Sequence, residues 1–155
     1  MPRTTKAAKR TTTTRKSSAA FTDEERSAMK DRAQEVKSAR GGASPDDDAQ
    51  AVLDKIAELS KSDREMAEAV HAVVIAAAPE LTPRLWYGMP AYAKAGKVVC
   101  FFQPAAKFKA RYATLGFNDP ATLDDGTMWP TAYALTTVNA AEEKKIAALV
   151  KRAAS

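Results

Sequence analysis

The sequence predicts an α+β fold of two layers, a largely antiparallel sheet of four to five strands packed by helices from the N-terminal half and by one C-terminal helix. Three observations predict it. Apolar residues recur at the helical period of about 3.6 up to Pro79 and at the strand period of about two beyond it. Glycine and proline punctuate that second stretch, as turns between antiparallel strands require. Helical spacing returns after Asn139, and helices segregated from a run of strands belong to α+β layers rather than to alternating βα units. A chain of 155 residues, 45% of them apolar, has enough material for one core.

The first helix is expected to open at Thr22, which makes a capping box with Glu25, and to stop at Gly41-Gly42. Met29, Ala33 and Val36 give it a narrow apolar stripe among many charges, which predicts a helix at the edge of the fold. The second helix takes Ser44 as cap, Pro45 at its first position and Asp46, Asp47 and Asp48 in its first turn, and it buries Val52, Ile56 and Leu59. A Ser62-x-x-Glu65 box starts a third helix. Only His71 is polar between 69 and 78, so this helix is expected at the centre, apolar nearly all round. Residues 84–87 and 91–93 read as short strands separated by Gly88-Met89-Pro90, with Pro90 ending a ladder. Ala95-Gly96 is a tight turn, 97–103 a strand covered on both faces, and 110–117 a half-buried strand. Residues 118–126 form a loop, 128–136 an edge strand broken by Pro130, and Asn139-x-x-Glu142 caps the last helix.

Charge divides the chain. Residues 1–20 hold Arg3, Lys6, Lys9, Arg10, Arg15 and Lys16 with no acid, which leaves 18 cations against 19 acids in residues 21–155. Rich in Thr and Ser and poor in apolar anchors, 1–20 is expected to be a disordered basic tail, able to make weak, non-specific contact with nucleic acid. Residues 21–43 are expected to be a peripheral polar helix and 44–153 the folded domain. The longest apolar run, residues 72–79, is far short of the roughly 20 residues of a membrane span, and no hydrophobic signal core is evident. With one cysteine and one histidine there is neither an intramolecular disulfide nor a Cys/His zinc set. A reducing, cytoplasmic setting without membrane attachment is expected.

No nucleophile, base and oxyanion set can be assembled, so no catalytic residue is nominated. His71 reads as a core or boundary residue, and Cys100 as a buried, unreactive thiol within an apolar strand. The acids Asp46, Asp47, Asp48, Asp124 and Asp125 are the candidates for hard-cation ligands, although acids in a first helical turn also serve as caps. Lys107, Lys109 and Arg111 alternate with Phe108, Ala110 and Tyr112, so an extended backbone there would put three cations on one face as an anion site. The segment Trp86, Tyr87, Gly88, Met89, Pro90 and Tyr92, with Trp129 and Tyr133 from the second Trp-Pro break, is the candidate aromatic ligand cleft, its alternative being core filling.

The segments RLWYGMPAYAKAGKVVCFFQ, KFKARYATLGFND and LDDGTMWPTAYALT resemble the YdhG-like domain family of unknown function over residues 46–153. The resemblance carries Trp86, Gly88, Met89, Pro90 and Tyr92 as the family signature. It implies, through members described as frataxin-like intracellular iron chaperones, a non-enzymatic protein that binds iron weakly through surface carboxylates and delivers it to an iron-acceptor protein. The second expectation is a small-molecule-binding domain that uses the cleft around Trp86, Tyr92 and Trp129.

Overall fold

The computed structural model describes residues 20–155. The elements run α1 (Asp23–Arg40), α2 (Pro45–Ala57), α3 (Lys61–Ala77), β1 (Thr82–Trp86), β2 (Met89–Lys94), β3 (Lys97–Gln103), a 3-10 turn (Ala106–Phe108), β4 (Ala113–Phe117), β5 (Ala132–Leu135) and α4 (Ala140–Ala154). All five strands pair antiparallel in chain order, β1-β2-β3-β4-β5. The fold is α+β, one sheet packed by helices. Apart from Ala20, the basic segment 1–20 lies outside the described residues, and among the described ones no helix is long and apolar enough to cross a membrane.

Local sequence explains most boundaries. Reciprocal capping boxes join Thr22 to Glu25, Ser44 to Asp47 and Asn139 to Glu142, each satisfying N–H groups that the first helical turn leaves orphaned. Both tight turns of the first three strands have positive φ at their two central residues, 54° and 73° at Tyr87-Gly88 and 52° and 77° at Ala95-Gly96, as a two-residue hairpin loop of the primed kind needs. Pro90 does not end a ladder: it lies inside β2 opposite Leu85. Because the loop has two residues, Trp86 and Met89 form the hydrogen-bonded pair, and the nitrogen of Pro90 faces away from β1, where β2 has not yet met β3. The last strand is shorter than expected, since 128–131 stay in the loop and only Ala132–Leu135 pair, at the sheet edge.

Alternation sorts the sheet into two faces. Tyr92, Cys100 and Phe117 form one cross-strand row, and Phe102, Leu115 and Tyr133 another. Both rows face α2, α3 and α4, where Val52, Ile56, Val70, Val74, Ile146 and Val150 close the core. α3 is not apolar-buried all round, because Ala72, Ile75 and Ala76 are exposed.

α3 also begins earlier than the Ser62 box predicts. Ser60 is its N-cap residue, and its hydroxyl donates to Asp63 at 3.2 Å instead of capping the helix. Asp63, 3% exposed, accepts the backbone N–H groups of Ala105 at 3.0 Å and Ala106 at 2.9 Å, tying the start of α3 to the segment after β3. Removing that carboxylate would take a charged acceptor from two partly buried backbone donors. Asp63→Ala is expected to lower unfolding stability by about 3 kcal/mol in urea titration, with Asp63→Asn intermediate because one amide oxygen still accepts.

Candidate functional site

The aromatic segment around Trp86 divides between the two faces of the sheet. Tyr92 is fully buried on the helical side, and its hydroxyl lies 2.9 Å from His71 Nδ1 on α3. The phenol is accordingly pushed well above its ordinary value by burial, with a smaller contribution from the neighbouring Cys100. Cys100 sits in the same interior, its thiol pushed up to about 12 by burial. Met89 and Pro90 are buried too. Trp129 and Tyr133 pack against the core from the β4–β5 side, Tyr133 edge-on to Phe117 at 6.1 Å. The expected cleft shared by Trp86, Tyr92 and Trp129 is therefore not formed. Tyr92 is core, and Trp129 lines its own depression of about 600 Å³ with Phe117 and Leu123.

Trp86 projects from the opposite face. Its row partner there is Met89, and the adjacent row runs Arg84, Ala91, Phe101, Gly116 and Ala132 across all five strands. Small residues flank Phe101 on both sides, and its ring lies over Gly116 so closely that a Cβ at that position would collide with it. Gly116 is a matter of space, not of backbone angle. Trp86 leans across Ala91 onto Phe101, ring centres 5.2 Å apart, and meets the edge of Tyr87 at 5.1 Å. The Arg32 guanidinium of α1 completes the series 5.7 Å from the Tyr87 ring, within cation–π range. The series Arg32, Tyr87, Trp86, Phe101 thus crosses from the helix to the middle of a sheet face whose side chains on β4 and β5 are short. Phe101, Gln103 and Thr114 are half-buried there, and Ala132 and Ala134 are exposed. Strand β3 is covered by helices on one face only, which corrects the expectation of cover on both.

Two acids of α1 position this array. Glu35 accepts the backbone N–H of Tyr87 at 3.0 Å and of Gly88 at 2.7 Å, one on each carboxylate oxygen, and pairs with Arg32 at 3.4 Å. Asp31 holds the Lys107 ammonium at 2.9 Å, and Lys107 also donates to the Tyr87 carbonyl at 3.2 Å. A side chain at Gly88 would strike Lys107 and Asp31 and would be strained at φ 73° in any case. A third pair joins Glu24 to Lys109 at 2.8 Å, and that hydrogen bond lowers the carboxyl and raises the ammonium from their ordinary values. Glu24, Ala28, Asp31, Arg32 and Glu35 recur at helical spacing, so α1 docks by a charged face. The expected stripe is not the docking face: Met29 and Ala33 are exposed.

The same contacts remove the proposed anion site. Residues 106–108 form a 3-10 turn and Lys109 is left-handed at φ 51°, so the segment is not extended and its cations do not share a face. Lys107 and Lys109 are paired with α1, while Arg111 lies 5.4 Å from the Tyr112 ring. Among the acids, Asp47 is committed to the Ser44 cap, Asp46 and Asp48 flank it in the same turn, and Asp124 and Asp125 are exposed on the β4–β5 loop. Among the described residues no three His, Cys, Asp or Glu side chains stand close enough together to hold a metal ion.

What the open face offers instead is a groove of about 340 Å³. It is lined by Trp86 and Arg84 of β1, by Gly96, Lys97 and Val98 at the β2–β3 turn, by Asn118, Asp119 and Pro120 after β4, and by Arg32 of α1. Arg84 is steadied by donating to the Gly96 carbonyl at 3.3 Å. Three cations line the groove with the Trp86 indole, Arg32 already paired to Glu35, against the one lining acid Asp119, which suits a flat ligand of negative charge. Arg32, Arg84, Phe101 and Gly116 went unnominated because their convergence depends on strand register. A glycine flanked by Leu115 and Phe117 in an alternating strand is the one signal that pointed there.

No family model, no curated protein and no solved structure matches the chain. The W-x-G-M-P-x-Y segment has a folding explanation of its own: a hairpin turn at Gly88, buried Met89 and Pro90, and Tyr92 bonded to α3.

Burial lowers the His71 imidazole below its ordinary value. The unfolded chain then takes up the proton first, so the stability contributed by the neutral ring is complete above about pH 6.5 and is lost as pH falls toward the folded value. Thermal melts between pH 7.5 and 5.5 should show the melting temperature falling with acidification. His71→Asn should flatten that part of the profile, and Tyr92→Phe should cost about 1 kcal/mol at pH 7.5 by leaving Nδ1 without its partner.

Proposed function

We propose that the chain is a non-enzymatic binding domain whose open sheet face receives a planar anion in the groove beside Trp86. The observation that carries this reading is the half-buried Trp86 indole, backed by Phe101, at the wall of a groove that Arg32, Arg84 and Lys97 also line. An indole supplies a stacking surface and the guanidinium groups supply directed charge, and together they select a flat ring that bears a carboxylate or phosphate. Nothing in the groove supplies a nucleophile or a base: its only acid, Asp119, is exposed. The iron-delivery reading implied by the YdhG-like resemblance draws no support from the arrangement of acids.

Two tryptophans are present, so a Trp129→Phe background isolates Trp86 as the reporter. Adenosine 5′-monophosphate, as a generic planar anion, should quench its fluorescence saturably, and uncharged adenosine should bind at least tenfold more weakly. Arg84→Gln should erase the difference between the two. If neither compound alters Trp86 emission up to millimolar concentration, the groove is a surface feature and the proposal fails.

A further inference from the structure

The groove is open along the sheet, and what continues from it is the same chemistry repeated. From Val98 the face descends along β3 past Phe101 to Gln103, and Gln103 is paired with Thr114 near the start of β4. Immediately before β4 stand Arg111 and Tyr112, both exposed, with the guanidinium 5.4 Å from the ring. Five steps along the strand take Val98 to Gln103, about 16 Å at the usual rise. Along that length lie Lys97 at the end of the groove, Arg84 level with Phe101 in the middle row, Trp86 with Arg32 and Tyr87 toward the Gln103 end, short neutral side chains beside them, and a cation stacked on an exposed ring just before β4 (Arg111, Tyr112). A closed pocket would fit a free small molecule. A flat track of rings with charge at both ends fits a ligand that repeats base and phosphate along its length, since every base has a face to stack and every linkage a charge to neutralise. Sheet faces bearing two or three aromatic residues hold about as many bases in this way.

We infer that the open face binds single-stranded nucleic acid, with bases stacked on Trp86 and Phe101 and the backbone running from the Arg84/Lys97 groove toward Arg111 and Tyr112. This inference rests on the planar-anion reading and extends it from one ring to a strand. The net charge of residues 21–155, 18 cations against 19 acids, does not oppose it, because acids of α1 are turned inward on the Tyr87-Gly88 turn, Lys107 and Lys109 instead of onto the face. A duplex is too stiff and too stacked to offer its bases to this surface, so the preference is for unpaired strands. Residues 1–20, with six cations and no acid, add a salt-dependent charge contribution that carries no sequence preference.

The test uses the full chain in the Trp129→Phe background, with a labelled twelve-residue oligothymidylate, a duplex of the same length and adenosine 5′-monophosphate as probes. Anisotropy and Trp86 quenching are read together from 50 to 300 mM salt. The oligothymidylate should bind at least tenfold more tightly than the duplex and quench Trp86. Tyr112→Ser with Arg111→Gln, two exposed changes outside the groove, should weaken oligothymidylate about tenfold and leave adenosine monophosphate unaffected. Gln in place of the six cations of 1–20 should reduce affinity and salt dependence while Trp86 quenching persists at saturation. The inference is overturned if oligothymidylate fails to bind while adenosine monophosphate still does, which leaves the groove reading standing, or if neither binds, which removes both. It is also overturned if the Tyr112/Arg111 changes have no effect, if quenching disappears with the tail cations, or if polyglutamate of equal charge competes as well as the oligonucleotide.

Discussion

A hairpin turn with positive φ at both central residues points two backbone N–H groups out of the sheet with no strand to receive them, and at Tyr87-Gly88 the carboxylate of Glu35 takes both. That contact couples two parts of the chain more than 50 residues apart and determines where α1 lies. With α1 so fixed, Asp31 meets Lys107, Glu24 meets Lys109, and Arg32 is brought over the Tyr87 ring. Each of these is a charge-assisted contact at a partly exposed position, individually modest, but all of them depend on one helix orientation and reinforce one another. The series of rings that ends on Phe101 begins with this docking, so the open face owes its shape to a carboxylate that meets the groove only through Arg32.

The other condition for an open face is a core complete without it. α2, α3 and α4 all pack on the side that carries Tyr92, Phe102 and Leu115. Asp63 fixes the start of α3 to the chain after β3, and His71 meets the Tyr92 hydroxyl one helix face away. The opposite face is left to side chains that cover one another: Arg84, Ala91, Phe101, Gly116 and Ala132 alternate large and small, so that Phe101 lies down over Gly116 instead of standing up to seek a second layer. A large residue at Gly116 would lift the ring and remove the backing that Trp86 rests on.

Much of the fold was legible because its signals are local. Thr22, Ser44 and Asn139 announce their helices through boxes three residues long, Ala95-Gly96 marks its turn, and the alternation of Ala113, Leu115 and Phe117 marks the core face of β4. What was illegible depends on pairing at a distance. Apolar spacing suggested that α1 lies on Met29, Ala33 and Val36, whereas it docks through acids whose partners are Lys107, Lys109 and two backbone amides. The segment around Lys107 and Lys109 takes a 3-10 turn and a left-handed residue in place of the extended form that alternation implied. Trp86 and Tyr92 lie an even number of residues apart, which suggests one face. The register shift in β2–β3 lies between Tyr92 and Ala93, beyond both, and the divergence arises earlier: the two-residue loop at Tyr87-Gly88 lies between them, so Trp86 pairs with Met89 and Tyr92 with Pro83 on opposite sides.

Amide hydrogen exchange at Tyr87 and Gly88 in the parent chain and in Glu35→Ala tests most directly whether α1 is clamped to the hairpin by this carboxylate. Slow exchange at both amides in the parent, accelerated at least tenfold in the variant while the amides of β2 and β3 remain protected, is the result expected of a clamp that organises the open face without supporting the core. Exchange at Tyr87 and Gly88 that is equally slow in both proteins would mean that the turn is protected by something other than Glu35, and would contradict the account.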